Sequence, residues 1–447
     1  MTGLTATLAE RASGLHFKEL PPEVVEVARH CLLDWLGCTL AGSREEAALI
    51  ALDEAVESCG AERGVTVVGH SALLPIKEAA LVNGTASHAL DYDDVQPAMI
   101  GHPSVPIWPG LLALAEHTGA SGEDVVSAFV AGYETECRVG LAVGRPHYLR
   151  GFHATGTAGT FGAAAACARL LGLGAEATAR ALALAGTQAA GLKSMFGTMA
   201  KPLHAGRAAA NGLLAARLAE RGFTGHPEVL EVEQGFAATL GEGADAKRAL
   251  RDPPGGFFLP TNLFKHHAAC FQTHSSIEGL RRLREAEGLS ADDIDAVTIH
   301  ATAMQMRMCA IPSPVTGLEA KFSLRHTAAF ALSGIDTAAI ETFTDSQATD
   351  PSVVTLRDRI EVAPDGESDD KTVVDVVLRD GRRFTVAHDV SQPETDLALQ
   401  RRILEEKFLA LAAPVVGRDA APALAQQALA VAEAADIRGI MFATRPR

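Results

Sequence analysis

Residues 83–110, NGTASHALDYDDVQPAMIGHPSVPIWPG, decide how the chain is read. Helical patterns flank the stretch, and Gly84, Pro97, Gly101, Pro103, Pro106 and Pro109 interrupt them. One helix should therefore end near His88 and open a loop carrying Asp91, Asp93, Asp94 and His102. Carboxylates and imidazoles on a loop pinned between buried helices are the raw material of an active site. Three aspartates alone would read as a solvated turn. The run VPIWPGLLALAE that follows sets them beside core instead.

Working outward, residues 1–60 read as helices. Pro21-Pro22 opens one, with Glu23 and Glu26 near its start, where the helix dipole favours negative charge. Val24, Val27, Ala28, Cys31, Leu32, Trp35 and Leu36 recur at three and four and form a buried stripe. The patterns predict helices over Leu73 to His88, Ile107 to Thr118, Ala175 to Gly191 and His204 to Glu220. Ser121-Gly-Glu-Asp124 is a capping box before VVSAFVAGYETECRVGLAVG. Gly151-Phe-His-Ala-Thr-Gly has glycines but neither a preceding apolar strand nor G-x-x-x-x-G-K-[ST], so it reads as a loop entering a helix N-terminus, not a nucleotide site. Such a terminus attracts carboxylates.

From about Lys265 the character changes. IDAVTIHATA is β-rich, and KTVVDVVLRDGRRFTVAHDV is two strands around Asp380-Gly381, a hairpin signal. From about Glu394 the helical pattern returns in ALQRRILEEKFLALA and PALAQQALAVAEAADI. The expected architecture is mainly α: a large all-helical domain formed from residues 1–264 and 394–447, with a smaller α/β (α+β) domain, 265–393, inserted between.

A chain of 447 residues with 47% hydrophobic and 5% aromatic content packs its cores with Ala, Leu and Val. The net charge of −16 argues against nucleic acid or an anionic membrane as partner, though not against a small anion in a local basic pocket. Such a pocket is suggested by KSMFGTMAKPLHAGRAAANG, where Lys201, His204 and Arg207 gather at a helix start, a place where cations do nothing for helix stability. Seven scattered cysteines without C-x-x-C spacing read as free thiols of a reducing compartment. The N-terminus carries no signal-peptide pattern and no apolar run reaches membrane-spanning length, so a cytoplasmic location is expected.

Seven blocks in order, CLLDWLGCTLAGS, NGTASHALDYDDV, GHPS at 101–104, GFHATGTAGTFGAAAA, AKPLHAGRAAANG, KHHAACFQTH and AKFSLRHTAAFAL, resemble the MmgE/PrpD family over nearly the whole chain. The resemblance implies an all-helical domain with a smaller, lid-like α/β domain, a homodimer, no metal and no organic cofactor. It implies a small di- or tricarboxylate substrate and chemistry at a carbon beside a carboxylate. Carried over residue by residue, it puts the site on Asp91, His102, His153, Lys201 and Lys265, with His88, His204 and His274 in support. Two positions depart from the family pattern: its threonine falls on Val95 and its tyrosine on His326.

The chemistry assigns roles. Lys201 and Lys265 bind carboxylate and hold enolate charge, with Arg207 as a bidentate candidate. His102 and His153 suit proton transfer because imidazole titrates near neutral pH. Asp91 would fix the tautomer of a neighbouring histidine, while Asp93 and Asp94 serve the loop backbone or, for Asp93, the substrate. His326, in place of a tyrosine, adds a second base. That addition, with the hydroxyl lost at Val95, tilts the reading towards an epimerase of an iminodicarboxylate such as iminodisuccinate. A 2-methylcitrate dehydratase-type lyase is the runner-up, cis-aconitate decarboxylation ranks below it, and a carboxylate-binding module without catalysis is the third class.

Overall fold

The computed structural model describes residues 3–368 and 370–446. The chain forms two compact units, Met1–Phe264 with Glu394–Arg447, and Lys265–Pro393.

The first unit is helical. α1 (Pro22–Gly42), α2 (Ile76–His88), α3 (Ser104–Thr118), α4 (Gly122–Leu149), α5 (Ala154–Leu170) and α6 (Ala200–Glu220) make its centre. α5 is buried along nearly its whole length, from Ala154 to Ala168, and carries only Ala, Gly, Thr, Phe and Cys there. A helix apolar all round belongs inside a larger core, and small side chains let its neighbours come close. The same device joins α2 to α6: a Cβ on Gly84 would stand 2.6 Å from the Gly206 Cα, so neither position admits a side chain. Trp108 of α3 stacks on Phe129 of α4 at 3.9 Å between ring centroids. The returning helix Leu397–Val416 adds Leu404, Phe408 and Ala412 to the core that holds the α1 stripe.

Several boundaries differ from the sequence pattern. Leu73–Leu74 is not helical but pairs with Val65–Thr66 in a short antiparallel ribbon, and α2 starts only after Pro75. The helix predicted from Ala175 ends at Gly186 instead of Gly191. α3 starts at Ser104, before its prolines, and α6 at Ala200, four residues earlier than His204. Pro202 deceives in the last case, because proline is well tolerated in the first helical turn. Ser121 caps α4 by accepting the Asp124 N–H, but Asp124 takes the Ser121 hydroxyl rather than a backbone N–H, so the reciprocal box is incomplete.

The second unit is α+β. α7 (Phe271–Glu287), α8 (Leu324–Ser333) and the strands β1 (Ile294–His300), β2 (Ile360–Ala363), β3 (Lys371–Leu378) and β4 (Arg383–Asp389) define it. The sheet order is β2-β1-β3-β4, with β1 parallel to β2 and the other pairs antiparallel. β3 and β4 turn at Asp380-Gly381, with Gly381 at φ 90°. β3 alternates buried and partly exposed residues, as a strand with one covered face should. All seven cysteines are free, and only Cys59 is exposed. Among the described residues no helix is long and apolar enough to cross a membrane.

Candidate active site

α2 ends at His88 and α3 begins at Ser104. The loop between them is tied down at many points. Val95 and Leu263 exchange both backbone hydrogen bonds, at 2.8 and 2.9 Å. A buried relay runs from the Gln96 amide to the Tyr133 hydroxyl and on to Asn262 Oδ1, at 2.9 and 2.8 Å. Asn262 Nδ2 in turn donates to Asp94 Oδ2 at 3.0 Å, and Asp94 accepts the N–H and hydroxyl of Ser104, the first residue of α3. Asp94 is thus a helix-capping carboxyl. Burial, with Asp34 nearby adding to it, pushes its pKa up to about 7.

Between these anchors Asp91 takes a left-handed backbone, φ 52°, as does Ile100 at φ 54°. Such conformations cost non-glycine residues roughly 1–3 kcal/mol and persist where surrounding structure holds them. In this turn two imidazoles meet one carboxylate, Asp93. His88 Nδ1 lies 2.9 and 3.0 Å from the two oxygens of Asp93. His102 Nδ1 lies 2.9 Å from Asp93 Oδ2, with the ring turned away from the best hydrogen-bonding direction. On its other side, His102 Nε2 is 3.7 Å from Asp91 Oδ1, which Lys201 Nζ meets at 2.6 Å. Asp91, to which the sequence assigned the tautomer-fixing place, thus meets lysine, whereas Asp93 is the carboxylate set against two imidazoles.

The second half of the cluster comes from helix starts. His153 is the N-cap residue of α5, and its side chain makes no cap bond. Instead its Nδ1 lies 3.0 Å from His204 Nδ1. His204 follows Lys201 by three residues on α6, which puts both on one face. The rings form a row: His88 to His102 at 4.6 Å, His88 to His153 at 5.7 Å and His153 to His204 at 5.2 Å between centroids. Phe196 closes the row, edge-on to His153 at 4.9 Å and 5.4 Å from Lys201 Nζ.

Burial sets the charges. It pushes the His88 pKa down to about 4, against the pull of Asp93. His153 is held well below the ordinary imidazole value by burial and by the neighbouring His88 and Lys201. Burial and Lys201 lower His204 too. Asp93 is opposed by its own burial, yet the two imidazoles outweigh this and keep it well below the usual carboxylate range. The result is an ionised carboxylate that receives the His88 Nδ1–H, with His102 Nδ1 2.9 Å from one of its oxygens. An imidazole that gives Nδ1–H to a carboxylate keeps a lone pair on Nε2, the arrangement of a base.

His88, Asp91, Asp93 and His102 offer ligand atoms within 4.8 Å of one another, a spacing that suits a cation. In the arrangement seen, the Lys201 ammonium supplies positive charge at Asp91. A cavity of about 370 Å³ elsewhere in the first unit, bordered by Leu8, Arg11, Glu134, Arg138 and Phe257, includes none of the cluster. Its two arginines bind Asp252 at 2.7 and 2.8 Å.

Of the remaining sequence candidates, Arg207 belongs to the first unit and Lys265, His274 and His326 to the second. Arg207 is exposed on α6. Lys265 opens the second unit. In that unit His267 is engaged by Glu278 at 3.0 Å and Thr337 at 2.8 Å, and His274 by the Ala269 carbonyl at 3.1 Å, so both hold the start of α7. His326, on α8, is buried and edge-on to Phe330 at 4.7 Å; burial, with Arg357 adding to it, lowers its pKa to about 4. Sequence reasoning passed over Phe196 and over Thr155, whose Oγ1 accepts the His102 N–H at 3.0 Å. An aromatic beside a lysine-rich turn was the available signal for the first; the second had none.

A chain with one helical unit that presents a carboxylate–imidazole–lysine cluster, and a second, α+β unit, has the makings of an acid–base enzyme. Residues 6–249 match the MmgE/PrpD N-terminal domain and residues 267–431 the MmgE/PrpD C-terminal domain, and the chain belongs to that family. It is similar to the cis-aconitate decarboxylase of Homo sapiens, 30% identical over 95% of this chain and 91% of the relative. The cis-aconitate decarboxylase of Aspergillus terreus is 30% identical over 63% of this chain and 60% of its own length. The 2-methylcitrate dehydratase of Escherichia coli is 29% identical over 61% of this chain and 60% of its own length.

Proposed function

We propose that the protein is a lyase acting on a small tricarboxylate, which it breaks down by proton transfer at a carbon beside a carboxylate. The observation that carries the reading is the buried Asp93 shared by His88 and His102, one residue pair away from the Lys201–Asp91 contact. A pocket that only bound an anion would need the lysine but not two imidazoles on a buried carboxylate.

Lys201 pairs with a substrate carboxylate and holds the charge that develops when the adjacent carbon becomes enolate-like. His102 Nε2 is the proton acceptor, and the imidazolium it becomes is stabilised by Asp93. His153 is the partner in proton return. One proton lies between the two Nδ1 atoms of His153 and His204; when His204 passes it to His153 and takes another from solvent on Nε2, His153 can deliver its own Nε2 proton without being left an anion. Loss of hydroxide from the neighbouring carbon, protonated as it leaves, completes a dehydration. Loss of carbon dioxide followed by protonation of the carbanion completes a decarboxylation. The names of the relatives support these two outcomes.

Epimerisation of an iminodicarboxylate, favoured from the sequence because His326 replaces a tyrosine, has less support. The relatives are named for decarboxylation and dehydration, not for epimerisation.

Proton NMR in deuterium oxide, with 2-methylcitrate, cis-aconitate and iminodisuccinate offered separately, decides the matter. The expected result is loss of water or carbon dioxide from one tricarboxylate, with solvent deuterium in the carbon-bound position of a decarboxylation product. Lys201→Met should raise KM roughly tenfold to hundredfold, the weight of a charge-assisted hydrogen bond. Interconversion of iminodisuccinate stereoisomers without either loss would overturn the lyase reading, and no turnover of any substrate would leave a binding module.

A further inference from the structure

We propose that Lys407 and Asp34, a buried ion pair outside the cluster, are positioning residues for the Asp91–Asp93 turn. Lys407 lies on the returning helix Leu397–Val416 and Asp34 on α1, and their charged atoms meet at 2.6 Å with side-chain exposures of 6% and 1%. Lys407 Nζ also donates to the Tyr92 carbonyl oxygen at 2.8 Å and lies 3.8 Å from the centroid of the Tyr92 ring. Tyr92 stands between Asp91, which takes the left-handed backbone, and Asp93, which takes the two imidazoles. One ammonium thus holds the middle residue of the strained turn by its carbonyl and by its ring.

Stability alone does not explain the pair. Removing two charges from water costs about what their attraction returns, and well-packed apolar residues in their place are commonly as stable or more so. A left-handed Asp91, by contrast, needs surroundings that hold it. Burial works against the Lys407 charge, but Asp34 dominates and Asp93 contributes to keeping it protonated, so the lysine also belongs electrostatically to the carboxylate it positions. Two helices far apart in sequence, Pro22–Gly42 and Leu397–Val416, thereby fix a turn between them.

The inference rests on the reading of Asp93 and His102 as acid–base machinery, and its test separates the two. In the double variant Asp34→Leu/Lys407→Met both charges go at once, which avoids stranding one of them in the core. The expected outcome is a protein that melts close to the wild type, loses roughly tenfold to hundredfold in kcat with a smaller change in KM, the cost of a misplaced turn, and shows displaced imidazole resonances for His88 and His102. Unchanged kcat and unchanged resonances in a folded double variant would overturn the proposal and leave a packing pair. Lys407→Arg, which keeps the charge but cannot reproduce the single-point contact with the Tyr92 carbonyl, gives the same readouts should the double variant not fold. If the wild type turns over none of the carboxylates, the lyase reading fails, while the resonances still report on the turn.

Discussion

Two histidine–aspartate clusters, one in each unit, use the same residue types to opposite ends. In the first unit one carboxylate, Asp93, serves two imidazoles, His88 and His102, and lies wholly out of water. In the second unit one imidazole, His300, serves two carboxylates, Asp365 at 2.9 Å and Asp375 at 3.0 Å, with a quarter of its side chain exposed. The hydrogen bonds to Asp365 and then Asp375 raise the His300 pKa, because solvent takes up most of the cost of the charge. Burial wins at His88 and drives its pKa down to about 4. The ratio of carboxylates to imidazoles, together with access to water, thus favours the cation at His300 and the neutral imidazole at His88.

The strongest way to break this contrast is Asp93→Asn. An amide cannot carry the charge that stabilises an imidazolium, and it presents its own N–H to one of the two imidazole donors. kcat should fall roughly 10²–10⁴-fold, the usual worth of positioned general acid–base catalysis, with near-native circular dichroism. A loss under about tenfold would mean that Asp93 is a structural carboxylate like Asp94.

How much of this was legible beforehand depends on the distance over which a contact is made. The mainly α class with an α+β part followed from periodicity, and the loop after His88 from its glycines and prolines. The placing of Asp93 against two imidazoles was not legible, since left-handed turns flank it at Asp91, a residue type only mildly suggestive of that conformation, and at Ile100, which gives no hint of it. The His153–His204 contact joins two helix starts fifty-one positions apart. Lys407, preceded by Glu405 and Glu406 in LEEKF, reads as a solvated helix face, and only the packing of the returning helix against α1 buries it.

A second test sharpens the role of burial by using the neighbouring carboxylate. Asp94 is pushed up to about 7 mainly by burial, whereas in the unfolded chain it titrates near 4. Between these values the unfolded chain gives up a proton that the folded protein retains. Stability from Asp94 is therefore complete in acid and declines as pH rises from about 4 to about 7, in total by about 4 kcal/mol. Asp94→Asn has no such proton. Whatever the variant loses by disturbing the bonds to Ser104 and Asn262, its stability relative to the wild type should improve across that interval. Chemical denaturation at several pH values measures it, and parallel curves for the two proteins would show that the carboxyl is ionised throughout.

The exposed cluster should give the smallest effect. His300 has a raised pKa, so its contribution is complete below the unfolded imidazole value near 6.5 and disappears as pH rises through the folded value. Partly solvated pairs of this kind contribute about 0.2–1 kcal/mol. His300→Gln should therefore lower the melting temperature slightly at pH 6, progressively less in alkaline buffer, and leave kcat where it was. The reason is that two carboxylates in contact with water favour the protonated ring, a form with no lone pair to offer a substrate. A fall in kcat comparable to that of Asp93→Asn would mean that this second cluster also moves protons, and that water access is not what separates the two.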